Sequence, residues 1–170
     1  MWKNKARFIF HSSFVIILIG AGVTRYVGYE GIMQIPEGQT ENKMLSLEPY
    51  LQVTIKDGDK VYYQEYQKEF TSLFKNMNDF SHEIVFGDKK LNLNYKDFLF
   101  AKKETAKMGL LTVEASINGK AQNIKLPGLR GQKGLARELV FNDISVILEY
   151  GSKIVELPFS IKLNDFVETH

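Results

Sequence analysis

The 170 residues contain no cysteine. That excludes disulfide staples, thiolate metal sites, haem attached through a Cys-x-x-Cys-His motif, and thiol redox chemistry on this chain. It leaves the compartment open. Histidine is scarce, with only His11, His82 and His170, and Trp2 is the single tryptophan. No His-x-x-x-His spacing for a metal exists, no Ser-His-acid set can be assembled, and no catalytic residue is assigned. An excess of one charge is missing too. The 22 Lys and Arg against 20 Asp and Glu leave +2, which argues against nucleic acid as a partner. Repeats and low-complexity tracts are absent. Gly128, Gly131 and Gly134 are evenly spaced, yet no strand-to-helix context and no Lys-Ser/Thr accompanies them, so they are no phosphate loop. We read residues 127–134 as a flexible exposed loop, with a partner contact as the lesser reading.

What is present suits one domain: 44% apolar and 25% charged residues allow a core and exclude both a multispanning protein and wholesale disorder. The distribution is uneven. The first 23 residues hold Lys3, Lys5 and Arg7 and no acid, which is +3; against a net charge of +2, the remainder carries −1. Between Arg7 and Arg25 lie 17 residues without a formal charge, FIFHSSFVIILIGAGVT. As a helix they span about 26 Å, a little short of a ~30 Å hydrocarbon core, and the two arginines can snorkel to make up the difference. Trp2 lies near one end and Tyr26 and Tyr29 near the other, where interfacial aromatics belong. Residues 1–25 therefore read as a transmembrane helix. The basic cluster in front of it puts the N-terminus in the cytoplasm and the chain from residue 26 onward outside.

A cleaved signal peptide shares the basic start, the apolar middle and small residues such as Gly20-Ala21-Gly22. Against it, residues 8–23 exceed the usual apolar length, and His11, Ser12 and Ser13 interrupt the run where a signal would be most hydrophobic.

Residues 26–49 read as a connecting segment punctuated by Gly28, Gly31, Pro36 and Gly38. Residues 50–170 read as a mainly β external domain, an antiparallel sandwich or open barrel. Residues 51–55 alternate and end at Asp57-Gly58. The aromatic-rich run 60–66 follows. Residues 83–86 turn at Gly87-Asp88 into 91–95, and 111–117 meet Asn118-Gly119, a two-residue hairpin signal. Residues 121–126 return and stop at Pro127-Gly128. Residues 144–150 are expected to turn at Gly151-Ser152, with 154–163 coming back. Tyr66, Phe70, Leu73, Phe74, Met77 and Phe80 fall at helical spacing, which predicts a helix over 66–79, and an alternating reading of the same segment stays open. His82 is expected on the polar side of a strand or turn, as a solvated surface residue. His170, Asp165 and Glu168 read as exposed charges at a strand end.

His11 stands apart. An ionisable side chain inside a span is costly and points to function. It sits one turn past Arg7, towards the cytoplasmic side. The neutral imidazole favoured there is also the form that a metal or haem iron requires. Its helix face includes Val15, Leu18 and Gly22, and the glycine would let a flat ligand or a second helix approach. The plainer reading is a helix-end histidine bonded to Ser12 or to lipid headgroups.

The run His11-Ser-Ser-Phe, the apolar stretch to Gly22, and then Gly28-Tyr-Glu-Gly31-Ile-Met-Gln-Ile-Pro-Glu37-Gly38 resemble the ResB-like family. The ending Leu157-Pro-Phe-Ser-Ile-Lys-Leu-Asn-Asp165-Phe166 is similar as well. The closest likeness is to the N-terminal, ResB-like portion of fused CcsBA-type (system II) cytochrome c synthetases. The middle of the chain, about 50–140, matches only as a β-rich external domain. The resemblance implies a module of a cytochrome c haem lyase in the bacterial inner membrane, with the bulk of the chain periplasmic. It implies export of haem and its attachment to apocytochrome c. It implies transient b-type haem as cofactor, with His11 as an axial ligand to the iron, so that the metal reaches this chain only through haem. Ser12 or a neighbouring helix would fix the other ring nitrogen. The second ligand would come from a partner histidine outside this chain, in the CcsA-like half, so the module is not expected to act alone. Membrane lipids are the remaining partners. Two competing readings stay open. One is a membrane-anchored, LptC-like β-domain that binds a lipid or an envelope protein, which gives His11 no role. The other is a secreted β-sandwich with its leader attached.

Overall fold

Nothing between the two arginines interrupts a helix, and α1 runs over Trp2–Tyr26. Within its stretch Lys5–Tyr26 an 18-residue window has a mean hydropathy of 1.8 and no buried residue, so the helix is long and apolar enough to cross a membrane. Two of its hydroxyls are satisfied internally, which suits a lipid setting. Ser13 Oγ donates to the Phe10 carbonyl at 2.6 Å and Thr24 Oγ1 to that of Gly20 at 3.0 Å. The computed structural model describes residues 2–26, 28, 30–73, 75–103 and 106–166. Tyr29, Phe74, Glu168 and His170, and the side chains of Trp2 and Lys3, lie outside the described residues.

The chain divides into two units, Met1–Glu30 and Gly31–His170. The second is a β-sandwich of nine strands among the described residues: β1 Gly31–Ile32, β2 Thr40–Asp57, β3 Lys60–Gln67, β4 Ser81–Phe86, β5 Lys89–Lys103, β6 Ala106–Ile117, β7 Lys120–Pro127, β8 Arg137–Phe141 and β9 Ile144–Lys162. In one sheet β1 and β3 share an edge of β2, followed by β9 and β8; the other runs β4-β5-β6-β7. Every pairing is antiparallel. The expected class, mainly β behind one N-terminal helix, is the one observed.

Period-two alternation turns Leu51, Val53 and Ile55 of β2, Leu111, Val113, Ala115 and Ile117 of β6, and Val146, Leu148 and Tyr150 of β9 into one shared core. Each large side chain buried there stabilises the fold by about 1.5–3 kcal/mol. The sandwich is closed along one side, where Gln122 Nε2 of β7 donates to the Val140 carbonyl of β8 at 2.9 Å. The Asn118-Gly119 turn forms as expected, with both residues at positive φ (50° and 78°).

Four expectations need correction. The helix over 66–79 is absent. β3 continues to Gln67, and only Lys75–Met77 makes a single 3-10 turn. Helical spacing misled because Phe70 leaves the strand to plug the core, stacked on Tyr95 at 5.7 Å and edge-on to Tyr150 at 5.1 Å. Asn78, also buried, then ties the segment back. Its Oδ1 accepts from Thr71 N–H at 2.9 Å, and its Nδ2 donates to the Thr71 carbonyl at 2.6 Å and to Tyr95 Oη at 3.2 Å.

Secondly, no reversal occurs at Gly151-Ser152, since β9 passes straight through. Its partner β2 begins at Thr40, well before the expected first strand, so the two long strands pair from Thr40↔Lys162 to Asp57↔Ile144. Thirdly, residues 127–134 are no free loop. Gly131 N–H donates to Ser152 Oγ, and Ser152 N–H to the Gln132 carbonyl, both at 2.9 Å. The glycines exist for close approach: a Cβ on Gly128 would lie 1.7 Å from the Tyr150 carbonyl oxygen, and one on Gly134 2.2 Å from it. Finally, β8 went unrecognised because only Leu139 and Phe141 of its five residues turn inward.

Candidate functional site

Two places carry side chains with more than a packing role. The first is His11 on α1, which is exposed. Its Nδ1 lies 2.7 Å from the Arg7 carbonyl oxygen. A carbonyl only accepts, so Nδ1 carries the proton, and in the neutral ring Nε2 keeps a free lone pair. The sequence reading assigned this bond to Ser12 or to a neighbouring helix; it is made instead by the preceding turn of the same helix. The imidazole also meets Phe10 edge-on at 5.8 Å, and Phe10 meets Phe14 at 5.0 Å.

Val15 and Leu18 lie about 6 and 10 Å further along the helix, within reach of a flat ring system centred near His11. Gly22 lies about 16 Å along, beyond such a ring. A Cβ there would meet nothing within 4 Å, so its open surface suits a second helix better than a ligand at His11. Among the described residues no cluster of three His, Asp or Glu could hold a metal ion. His11 thus offers a single nitrogen, which could hold a haem iron only together with a ligand from elsewhere.

The second place is the open side of the sandwich, between edge strands β3 and β4. Their inward residues meet in pairs. Tyr62 packs on Phe86 at 5.8 Å, and Tyr66 stacks on His82 at 3.8 Å, nearly parallel at 5°. Phe80 stacks near His82 at 5.1 Å. Between the two aromatic pairs lies a slot of about 330 Å³, which Val53, Ile55, Val61, Gln64, Ile84 and Val85 help to line. His82 is therefore a half-buried seam residue rather than a solvated one. Burial, and then the nearby Lys68 ammonium, lower its pKa, which favours the neutral ring. This seam was missed in the sequence. The signal was there, since Tyr62 and Tyr66 share a period-two face, as do His82 and Phe86.

The outer face of the β2 sheet is polar. Tyr63 Oη donates to Glu65 at 2.9 Å and to Gln52 at 3.3 Å; burial, then the Glu65 bond, push its pKa up to about 12. Lys153 pairs with Glu65 and sits 4.2 Å from the centre of the Tyr50 ring. These contacts brace β3 against β2 and β9.

With this geometry in place, comparison with known proteins becomes informative. The ResB-like family profile matches residues 1–83, which include all of α1, β1, β2 and β3. The chain is also similar to Protein NrfI of Wolinella succinogenes, at 32% identity over 166 residues. That alignment covers 98% of this chain and 18% of NrfI, so the chain spans under a fifth of the length of that curated relative. The profile covers His11 and the Gly28–Gly38 signature together, and the NrfI alignment extends the likeness across nearly the whole sandwich.

Proposed function

We propose that this chain is the membrane-anchored ResB-like module of system II cytochrome c biogenesis, and that His11 is an axial ligand to haem iron in the membrane. The observation that carries the reading is the tautomer. Arg7 holds the Nδ1 proton through its carbonyl, and Nε2 is left free on an exposed helix side. The ResB-like match and the similarity to NrfI support the assignment to cytochrome c assembly. Haem, when bound, supplies an iron centre that two imidazoles can ligate. The residues of this chain do the rest. The Arg7 carbonyl fixes the imidazole ring and raises its basicity. Val15 and Leu18 exclude water beside it. Lys3, Lys5 and Arg7 keep the N-terminus cytoplasmic, so the sandwich stands in the periplasm. The second histidine comes from the CcsA-like half, and the cysteines that receive haem belong to apocytochrome c, consistent with a chain that has none.

The test is co-expression with the CcsA-like half. The wild-type complex should carry haem with a low-spin bis-histidine spectrum, His11→Gly should lose it, and added imidazole should restore it. Unchanged haem content in His11→Gly refutes the reading. The slot between β3 and β4 favours a second reading, a lipid-binding envelope module, because its volume falls at the small end of the ~300–1,000 Å³ typical of ligand pockets. That reading predicts co-purified lipid that a slot-filling Val85→Trp displaces, whatever stands at position 11.

A further inference from the structure

Strand pairing leaves one edge of the sandwich with its main chain unguarded. Tyr95 N–H donates to the Phe80 carbonyl at 3.0 Å, and the same register runs on from Ser81↔Asn94 to Phe86↔Lys89. Hydrogen-bonded and non-hydrogen-bonded pairs alternate along an antiparallel ladder. His82, Ile84 and Phe86 therefore spend their main-chain groups on β5, and those of Ser81, Glu83 and Val85 point outward. β4 ends its sheet, and no described strand pairs with that side.

The other edges are guarded in the ways that proteins use against unwanted pairing. β7 carries Lys120, Lys125 and Pro127, and its Gln122 reaches across to β8. β1 is only two residues long. β3 starts at Lys60 and is followed by Lys68, whose ammonium donates to the Met77 and Asp79 carbonyls at 3.2 and 3.4 Å. β4 has no lysine, no proline and no bulge. Its outward valine, Val85, is 62% exposed.

What fits this edge is a backbone. Main-chain donors and acceptors spaced as a ladder are matched together by another extended chain, whereas a lipid in the adjacent slot leaves them unpaired. The slot is lined by Val61, Tyr63 and Ile84 as well as Val85, so it runs beside the edge and can take a side chain from an added strand. Charge selects the chain. Glu83 is the middle outward residue, half-exposed, with Lys90 at 2.9 Å. A second copy laid antiparallel on β4 so that all three outward residues pair would set Glu83 against its own counterpart. Like charges directly opposite are destabilising, and a basic residue opposite Glu83 is favoured instead.

We propose that β4 is a docking edge for an extended segment of a partner polypeptide, added antiparallel. One apolar residue of the segment faces Val85, the next enters the slot beside Ile84, and a Lys or Arg after them faces Glu83. The inference rests neither on haem at His11 nor on lipid in the slot.

The probe is the capped peptide Thr-Val-Ile-Lys-Val-Thr, added to the full chain in detergent, with amide hydrogen exchange as the readout. The Glu83 and Val85 amides should become protected, and the Val61 and Tyr63 amides of β3 should not. Methylating the main-chain nitrogen of the peptide's lysine, which keeps every side chain, should weaken binding about tenfold. Val85→Pro removes a donor that the sandwich does not use, so the melting temperature should hold while the peptide no longer binds. Glu83→Lys should weaken binding about threefold, and the same peptide with Glu in place of Lys should bind that variant better than it binds wild type. No protection at millimolar peptide overturns the proposal. So does equal binding of the methylated peptide, or protection on β3 instead. Protection of Glu83 and Val85 that appears without peptide as the chain is concentrated also overturns it, and assigns the edge to a second copy.

Discussion

Replacing Asn78 with Ala should cost the sandwich far more than an ordinary change in a loop. Asn78 is 1% exposed and makes three bonds, to Thr71 N–H, to the Thr71 carbonyl and to the Tyr95 hydroxyl. Alanine removes all three partners at once. Tyr95 can turn its hydroxyl elsewhere, but the Thr71 amide and carbonyl are half-buried main-chain groups that lose their partner. Each unsatisfied group costs about 1–3 kcal/mol, so two give roughly 2–6 kcal/mol. Water reaching the vacated space would hold the result near the lower end, about 3 kcal/mol. For a unit of this size that lowers the melting temperature by about 6–12 °C.

The assay is a thermal melt of the full chain in detergent, followed by the near-ultraviolet tyrosine signal, to which α1 adds only Tyr26. Hydrogen exchange at the Thr71 amide accompanies it. Asn78→Asp keeps the acceptor for Thr71 N–H and loses both donors, so it should protect that amide better than alanine does. A melting point within 1 °C of wild type, with the Thr71 amide still protected in Asn78→Ala, would refute the claim that this side chain holds the 68–79 segment in place of a helix.

Other expectations are simpler. Ser12→Ala should leave haem loading unchanged, as measured by pyridine haemochrome, because the Arg7 carbonyl holds the His11 ring; a large loss would return that role to Ser12. Gly128→Ala should fold poorly or lose several kcal/mol, since its Cβ must displace the Tyr150 carbonyl, whereas Lys125→Ala nearby should be within about 0.5 kcal/mol of wild type in the same denaturation series. His82 should make stability depend on pH. Its folded pKa lies below the ordinary 6.5, so the unfolded chain binds more protons, and stability is full above about pH 6.5 and declines as pH falls below it. His82→Phe should flatten that dependence. Lys68→Met should bring the His82 titration, followed by NMR, back towards 6.5, and an unchanged midpoint would remove Lys68 as a cause.

Much of this protein could be read from its residues in order. A span needs only length and apolarity, so α1 was visible between Arg7 and Arg25. Two-residue turns announce themselves through Asn118-Gly119 and Gly87-Asp88, because few residues tolerate the positive φ that such turns demand. His11 stood out because a polar group inside a span needs a reason. The family likeness rested on the same stretch, from His11 to Gly38.

Other features depended on contacts that no local pattern encodes. Phe70 fits a helical stripe as well as it fits a core plug, and only the rings of Tyr95, Phe98 and Tyr150 around it decide between them. Gly151 signals a turn when read alone. Beside Gly128 and Gly134 it is instead the point where a loop lies against an unbroken strand. The tautomer of His11 was set by a carbonyl one helical turn away, and the histidine of the seam by a tyrosine on the other sheet. Periodicity and turn chemistry are properties of neighbours along the chain, so the sequence determined the helix, the hairpins and the one membrane histidine. Which strands continue and which aromatics fill the core are set by packing between distant residues, and those the tertiary structure alone decided.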